Sequence, residues 1–421
     1  MKEKLQNYRR DFHKFPESGW TEFRTTAIVA QLLMDWNYEV LLGRDAIDES
    51  YVMGRPEESV IQKHIQRAIE QGADEEIIKK MEGYSGVVAI LDTGRTGPTT
   101  AFRFDIDAND VEESTNESHR PSSEGFRSVN PDVMHACGHD GHTAIGLGTA
   151  EFIANNRNDL KGKIILIFQP AEEGVRGARA IAEKGHLDQV DYFVAGHLGF
   201  NLDSGYFSPK ASGFLATTKL DVTFRGKSAH AGAEPEAGKN ALLAAATAAI
   251  NLHAISPHSH GSTRLNVGQL TAGTGRNVIP ELAVIKLETR GETTELNEYM
   301  LDKAYKVLNG AAVMYDVEMD VKKVGEAGTA ECDEELVTIL TEIAKGIPEF
   351  DNIVEDHKLG GSEDASVLMA KVQEHGGKAA YVFLGSKIAA GHHNSKFDFD
   401  ETVLERGYKV FTHTVKKLNG V

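Results

Sequence analysis

Nine consecutive residues, 134–142, concentrate side chains that can bind metal ions. They read Met-His-Ala-Cys-Gly-His-Asp-Gly-His, so His135, Cys137 and His139 alternate along a predicted loop and His142 follows. A thiolate and an imidazole two residues apart can bind one metal ion or bridge two. A buried cysteine beside helix-capping histidines is the alternative, but the number of histidines in so short a loop favours a metal site.

Two further groups of candidate ligands follow apolar runs that are typical of buried strands. The run 164–168 leads to Glu172 and Glu173, and the run 192–196 leads to His197. Ligands collect beyond the carboxyl ends of the strands of an open α/β sheet. Two adjacent carboxylates would allow one to bind metal while the other takes a proton from water. An exposed loop pair and a core histidine are the alternatives for each group alone, and the shared position at strand ends favours one metal site.

Two more pairs of residues lie at predicted strand ends. Asp105 and Asp107 are two residues apart, so they share a face and could be direct ligands or carboxylates that orient the ligating histidines. We favour the orienting role for at least one of them. His392 and His393 follow the apolar run 379–384, and only one of two neighbouring side chains normally points into a site.

Apolar periodicity predicts the elements that position these residues. Strands and helices alternate up to His197, as they do around a parallel sheet. This part is predicted to have strands at 86–91, 100–106, 164–168 and 192–196, helices over 5–36 with a break at 16–19, and a helix from about 143. A polar segment at 45–84, with apolar residues at helical spacing in 61–69, is predicted to be an inserted helical pair rather than core.

The pattern changes near residue 213 and returns to buried strands after about 326. The intervening stretch has strands that alternate between apolar and polar residues, which predicts a small α+β domain with a one-sided sheet. Its predicted elements are strands at 217–224, 264–270, 283–289 and 317–324 and helices at 240–258 and 296–313. The fold class is therefore α/β. Residues 1–213 and 327–421 form a catalytic domain with a mixed, mostly parallel sheet and helices on both faces, interrupted by a smaller domain at 214–326.

Composition excludes several classes of protein. The 421 residues are 41% hydrophobic and 26% charged, and their net charge of −18 argues against nucleic acid or an anionic membrane as a partner. The two cysteines, Cys137 and Cys332, are too distant in sequence to suggest a disulfide scaffold. The first residues have no apolar signal core, and no run approaches membrane-spanning length, so we expect a cytoplasmic protein.

Motifs along almost the whole chain resemble the M20-type metallopeptidase and amidohydrolase family, which includes aminoacylase-like, carboxypeptidase-like and auxin-conjugate hydrolases. The matching segments are 9–13, 16–19, 103–108, 134–142, 169–174, His197, 226–231, 275–280, 361–364, His393 and 397–401. One departure is the sequence Asp-Ala-Asn-Asp at 107–110, where many relatives have Asp-Ala-Leu-Pro. The polar segment 45–84 is an insertion that ordinary members lack.

The resemblance implies two divalent metal ions in each copy of the chain, held by one set of ligands: Cys137, His139, Glu173, His197 and His393. Cys137 stands where many relatives place a bridging aspartate, and Glu172 would be the general base and acid. Thiolate and imidazole favour Zn²⁺, whereas a carboxylate-rich, exchangeable site also accepts Mn²⁺.

The resemblance also assigns roles to residues outside the metal cluster. His230, in the inserted domain, would stabilise the oxyanion at a neighbouring subunit's site, although a surface histidine in a Gly/Ala-rich loop is the alternative. Asn277 and Arg290 would hold the α-carboxylate of the amino acid, with a surface arginine at a strand end as the alternative for Arg290. Ser362 and Glu363 would shape the substrate pocket.

The implied activity is hydrolysis of an amide bond to an amino acid. The expected substrate is p-aminobenzoyl-glutamate, cleaved to p-aminobenzoate and glutamate during folate breakdown. A broader N-acyl- or indole-acyl-amino-acid amidohydrolase is the alternative, and a non-catalytic, metal-binding partner of another enzyme is a more remote one. Relatives dimerise through the inserted domain, so a homodimer is expected, and a homologous second subunit would be a further partner.

Overall fold

Strands and helices alternate along the chain, and the computed structural model describes all of residues 1–421. The strands are, in chain order, β1 (Glu39–Leu41), β2 (Val87–Asp92), β3 (Thr99–Asp105), β4 (Lys163–Gln169), β5 (Tyr192–Leu198), β6 (Tyr206–Ser208), β7 (Ala211–Ser212), β8 (Ala216–Arg225), β9 (Thr263–Ala272), β10 (Leu282–Gly291), β11 (Glu318–Ala327), β12 (Asn352–Ile353), β13 (His357–Lys358) and β14 (Lys378–Leu384). The α-helices are α1 (Lys2–Lys14), α2 (Phe23–Asp35), α3 (Glu58–Glu70), α4 (Glu75–Lys80), α5 (Arg120–Ser123), α6 (His139–Asn155), α7 (Ala178–Ala182), α8 (Ala241–His253), α9 (Thr294–Met314), α10 (Glu334–Lys345), α11 (Ala365–Glu374) and α12 (Thr402–Asn419).

The chain divides into two compact units. The larger comprises Met1–Ser212, Ala330–Leu359 and Asp364–Val421, and the smaller comprises Gly213–Thr329 and Gly360–Glu363. The tetrapeptide Gly360–Glu363 packs with the smaller unit, although the sequence analysis places it in the catalytic domain.

An eight-stranded sheet forms the centre of the larger unit, in the order β1-β2-β4-β3-β5-β14-β6-β12. β3 pairs in parallel with β4 and β5, β14 pairs in parallel with β5, and β2 runs antiparallel to β1 and β4. The central strands are almost completely buried, which explains their continuous apolar runs. Helices α6 and α12 pack together, with α6 also contacting β3, β4 and β5. The predicted mixed, mostly parallel α/β fold is confirmed.

A four-stranded antiparallel sheet, ordered β11-β8-β10-β9, forms the smaller unit together with α8 and α9. Leu220, Val222 and Phe224, alternate residues of β8, are fully buried in its core. Helix α8 ends at His253, before the predicted end at 258, because Pro257 and the residue preceding it disfavour helical geometry.

The segment 45–84 contains the two predicted helices, α3 and α4, and both contact α2. Ile61 and Ala68 of α3 are fully buried, and so is Met81, the residue that follows α4. The helical pair therefore contributes to the core of the larger unit, contrary to the prediction that it lies outside the core. None of the helices in the protein combines the length and apolar character that a membrane crossing needs.

Candidate metal centre and active site

The predicted ligands of the larger unit converge on one cluster. Cys137 and His139 flank Gly138, which has a left-handed backbone (φ 99°) and directly precedes α6. The helix begins at His139, four residues before its predicted start. Cys137 Sγ lies 3.4 Å from His197 Nε2 at the end of β5. Potential ligand atoms lie within 4.8 Å of one another in each of three overlapping groups: Cys137, His139 and His197; Cys137, Glu173 and His393; and His139, Glu172 and Glu173.

Two buried atoms of this cluster indicate that it is built for cations. His139 Nε2 and Glu173 Oε1 are buried without a hydrogen-bond partner, although Glu173 Oε1 lies 3.2 Å from His393 Nε2. Leaving such atoms unsatisfied costs about 1–3 kcal/mol each, and more for charged groups. Imidazole, thiolate and carboxylate are ligands for divalent metal ions. The residues present therefore fit a divalent metal centre.

Asp107 orients two members of the cluster. His139 Nδ1 lies 2.9 Å from the carbonyl oxygen of Asp107 and 3.2 Å from its Oδ1, and the Glu173 backbone N–H donates to its Oδ2 at 2.8 Å. In the neutral imidazole, donation from Nδ1 leaves Nε2 of His139 with the free lone pair that a metal ligand requires. This geometry fits the orienting role expected for at least one of Asp105 and Asp107.

Asp105 belongs to a second layer of polar contacts around the cluster. Its Oδ1 lies 2.5 Å from His142 Nδ1, and its Oδ2 accepts from Arg103 Nη1 at 2.7 Å. Burial opposes ionisation, but electrostatic interactions with His139, Arg103 and His142 hold the pKa of Asp105 well below its usual range. His142 Nε2 in turn accepts from the Leu198 backbone N–H at 3.1 Å, so this histidine connects two strand ends.

His392 and His393 both reach Cys137, contrary to the expectation that only one of them would. His393 belongs to the group with Cys137 and Glu173, while His392 Nδ1 lies 3.5 Å from Cys137 Sγ. The left-handed backbone of His393 (φ 63°) differs from an extended strand, in which neighbouring side chains point to opposite faces. His392 Nε2 accepts from the Phe200 N–H, and burial together with the charges of His393 and His139 lowers the pKa of His392 to about 4.

Glu172 lies on a tight loop after β4. Ala171 and Val175 have positive φ angles of 52° and 58°, and the Val175 N–H donates to the Glu172 carbonyl at 2.6 Å. The Glu172 side chain is 9% exposed and lies with His139 and Glu173 in one of the ligand groups. A carboxylate beside a metal centre can exchange a proton with water, which is the chemistry expected of a general base.

Glu22, which contacts this loop, was not predicted from the sequence. The Ala171 N–H donates to Glu22 Oε1 at 2.8 Å, and Ser85 Oγ donates to Glu22 Oε2 at 2.6 Å. Burial and the nearby charge of Asp107 raise the pKa of Glu22 to about 8. The only sequence signal was an acidic residue just before α2, which also suits an ordinary helix start.

A buried ion network anchors the residue after His139. Arg9 is fully buried and pairs through Nε with Asp140 (2.8 Å), through Nη2 with Asp398 (2.9 Å) and through Nη1 with Glu401 (3.2 Å). His13 Nδ1 also lies 2.8 Å from Asp140 Oδ2. The network joins α1 to the beginning of α6 and to the segment before α12, so it fixes the base of the candidate site.

Glu113 gives this network a predicted pH dependence. His119 Nε2 (2.8 Å), His13 Nε2 (2.9 Å) and the Ser128 N–H (2.6 Å) contact its carboxylate, and together they outweigh burial and lower its pKa from 4.5 to about 2. A depressed carboxyl pKa stabilises the fold above pH 4.5 and loses that effect as the pH falls towards 2. Urea unfolding should show a stability advantage of the wild type over Glu113→Gln that is constant from about pH 6 to 5 and shrinks below about 4.5. A difference independent of pH would contradict this assignment.

In the smaller unit, His230 and Asn277 lie on paired segments. His230 forms a β-bridge with Val278, and its Nδ1 accepts from the N–H groups of Gly232 and Ala233, each at 3.1 Å. Acceptance at Nδ1 places the ring proton on Nε2, which leaves an exposed imidazole able to donate one hydrogen bond.

The remaining predicted substrate residues have local partners. Arg290 lies within β10, rather than beside the strand as expected, and its Nε pairs with Glu288 Oε1 at 2.9 Å. Ser362 Oγ donates to the Leu215 carbonyl at 2.7 Å, and Glu363 is buried. The guanidinium of Arg290, which is predicted to bind the carboxylate of the substrate, is therefore paired with Glu288 in this structure.

Comparisons with known proteins identify the class to which this fold and site belong. Residues 101–417 match Peptidase family M20/M25/M40, and the chain belongs to this family of metal-dependent hydrolases that act on amide bonds. The resemblance seen in the sequence is thereby confirmed, as is the enzyme class, and the findings support the binding of divalent metal ions.

Individual relatives match over nearly the full chain. The protein is 50% identical to indole-3-acetyl-aspartic acid hydrolase of Enterobacter agglomerans, covering 95% of this chain and 92% of the relative. It is 49% identical to one of the subunits of p-aminobenzoyl-glutamate hydrolase of Escherichia coli, covering 98% and 95%. The crystal structure of an aminobenzoyl-glutamate utilization protein from Klebsiella pneumoniae superposes with a TM-score of 0.84 at 42% identity, covering 98% and 94%.

Proposed function

We propose that this enzyme hydrolyses p-aminobenzoyl-glutamate to p-aminobenzoate and glutamate, a step in folate breakdown. The observation that carries the proposal is the single cluster of cysteine, histidine and glutamate side chains that includes Glu172. Similarity to the Escherichia coli p-aminobenzoyl-glutamate hydrolase over 98% of the chain supports the choice of substrate.

The proposed ligands are Cys137, His139, Glu173, His197 and His393. Two divalent ions bound there would lower the pKa of a coordinated water to about 7 and polarise the amide carbonyl. Glu172 accepts a proton from the attacking water and delivers it to the nitrogen of the leaving glutamate. Asp107 keeps His139 and the Glu173 backbone in place while this proton moves.

His230 is proposed to donate a hydrogen bond to the oxyanion that forms at the attacked carbonyl in a neighbouring subunit's site. The protonated Nε2 inferred from its backbone contacts supports this role. We expect His230→Ala to lower kcat by about 10²- to 10³-fold, the usual cost of losing one such donor. A change confined to KM would exclude the role.

Arg290 and Asn277 are proposed to bind the α-carboxylate of glutamate, and Ser362 and Glu363 to shape the pocket. Arg290→Ala should raise KM for p-aminobenzoyl-glutamate about tenfold or more, and raise it much less for the α-amide, because a charge-assisted hydrogen bond is lost only with the acid. Arg264, the exposed neighbour of Arg290 across the β9–β10 pair, provides a control variant. Equal KM effects on acid and amide would contradict the assignment.

The 50% identity to indole-3-acetyl-aspartic acid hydrolase favours a second candidate function, hydrolysis of indole-acyl or other N-acyl amino acids. Measuring kcat/KM for a panel of p-aminobenzoyl, indole-acetyl and simple N-acyl conjugates distinguishes between these two candidate functions. A preference for the indole-acetyl conjugates would replace the first proposal with this one.

The deciding experiment measures p-aminobenzoate release by the purified protein, after chelation and after addition of Mn²⁺ or Zn²⁺. Restored release supports the proposal and identifies the metal. Absence of release with metal bound would defeat the substrate assignment for this chain alone, and repeating the assay with a second subunit would test whether activity needs that partner.

We also propose that the protein is a cytoplasmic homodimer formed through the smaller unit. The two cysteines are free and buried, which suits a reducing compartment. β9 lies at one edge of the smaller sheet and could pair with a second copy. Sedimentation of the purified protein tests the dimer, and a monomer at micromolar concentration would exclude it.

A further inference from the structure

The backbone amides on both sides of Glu172 are held by buried carboxylates from other parts of the chain. The Ala171 N–H donates to Glu22 Oε1 at 2.8 Å, and the Glu173 N–H donates to Asp107 Oδ2 at 2.8 Å. Glu22 and Asp107 are 0% and 1% exposed. The backbone is thus held in place by a hydrogen bond on each side of Glu172.

Ala171 needs such support because its backbone is strained. Its φ of 52° lies in the left-handed region, which costs a residue with a Cβ about 1–2 kcal/mol. Strained backbone persists only where the surroundings determine it. Gly19, three residues before Glu22, packs so closely that an added Cβ would lie 3.0 Å from Ala171 Cα. The loop preceding α2 therefore encloses this turn through both packing and a hydrogen bond.

Glu22 is itself fixed in a single arrangement. Its second oxygen accepts from Ser85 Oγ at 2.6 Å, and Ser85 is only 1% exposed. Each oxygen of the carboxylate thus has a defined donor. In a buried site such hydrogen bonds are directional and costly to lose.

We propose that Glu22 is a positioning residue that holds Glu172 in the orientation needed for proton transfer. It acts by accepting the Ala171 N–H and so maintaining the left-handed turn that precedes Glu172. The inference rests on the proposed function only in taking Glu172 as the general base. Without this anchor, Ala171 can relax towards negative φ, and the Glu172 carboxylate shifts relative to the reacting water.

The test compares three substitutions at Glu22. Glu22→Ala removes the acceptor and should lower kcat about 10- to 100-fold, with KM and bound metal nearly unchanged, because small misplacements of a catalytic group have effects of this size. Glu22→Gln keeps an oxygen for Ala171 and an NH₂ for Ser85, so its kcat should stay within about threefold of wild type. Glu22→Asp keeps the carboxyl group but is one methylene shorter, and its kcat should fall below that of the glutamine variant. Faster turnover by the aspartate variant than by the glutamine variant would show that the carboxyl group itself matters rather than the hydrogen bond to Ala171, and would overturn the proposal.

Glu17 offers a matched control five residues away. It is also fully buried and accepts backbone N–H groups, but those belong to Arg24 and Thr25 at the start of α2. Glu17→Ala should lower stability while kcat per folded molecule is retained. An equal loss of kcat in both alanine variants would assign the effect to general destabilisation and refute the proposal.

Hydrogen exchange supplies a readout that does not need turnover. Glu22→Ala should accelerate exchange in the peptide 169–177, whereas Glu17→Ala should not. Unchanged exchange there overturns the inference even if the enzyme is active. Conversely, a wild-type protein that cleaves no amide defeats the proposed function, while the exchange result still decides whether Glu22 anchors the turn.

Discussion

Replacing Glu172 by glutamine should lower kcat by about 10²- to 10⁴-fold, the usual contribution of a positioned general base and acid. The amide has nearly the same shape as the carboxylate but cannot accept a proton at neutral pH. The other members of the cluster are unchanged, so the divalent ions should stay bound. Steady-state release of p-aminobenzoate and the metal content of the same preparation measure the two effects.

Glu173→Gln provides the neighbouring control, because Glu173 is a proposed ligand rather than the base. Its carboxylate belongs to two of the ligand groups and has an oxygen without a hydrogen-bond partner. We expect this variant to lose metal as well as activity. A Glu172→Gln protein that turns over at a near-native rate would exclude Glu172 as the base. Loss of metal in the Glu172→Gln variant would instead indicate that Glu172 is a metal ligand.

Replacing Arg9 by methionine should lower the free energy of unfolding of the larger unit by about 3–5 kcal/mol, the cost of breaking a buried ion pair. The substitution leaves Asp140, Asp398 and Glu401 buried without the cation that contacts all three. It also removes a guanidinium that lies 4.4 Å from the centre of the Phe399 ring. Both tryptophans, Trp20 and Trp36, belong to the larger unit, so urea unfolding followed by their fluorescence measures the effect.

Arg44 is the matched control for this variant. It also pairs with two carboxylates, those of Glu49 and Glu82, but its side chain is 54% exposed. Arg44→Met should lower the free energy of unfolding far less than Arg9→Met does, because water screens exposed ion pairs. Similar effects at the two positions would show that the Arg9 network contributes no more than a surface pair.

Local sequence patterns predict much of the architecture. Each long strand of both units lies within a few residues of its predicted bounds, because apolar runs and strict alternation directly reflect two-sided and one-sided burial. The convergence of Cys137, Glu173 and His197 could be expected for the same reason, since Glu173 and His197 follow predicted strands and Cys137 lies in the loop before a predicted helix. The short strands β1, β6, β7, β12 and β13, of two or three residues, carry no such pattern and were not predicted.

The contacts that organise the site are not encoded in local patterns. Glu22 and Ala171 are 149 positions apart, and Arg9 and Asp398 are 389 apart, so neither pairing can be inferred from spacing. The approach of both His392 and His393 to Cys137 depends on the left-handed backbone at His393. A histidine in a sequence does not by itself predict this conformation. Periodicity thus predicts which elements exist, whereas long-range hydrogen bonds determine the final orientation of the side chains.

The position of β14 has a consequence for the order in which the protein folds during its synthesis. β14 lies between β5 and β6 in the large sheet, although the strands of the smaller unit precede it in the chain. A ribosome therefore releases the strands of the smaller unit while the large sheet still lacks a central strand, and domains generally fold as units during synthesis. His393, the last proposed ligand, emerges later still. We therefore expect the complete ligand set to take up metal only after His393 has left the ribosome, when the smaller unit has largely folded.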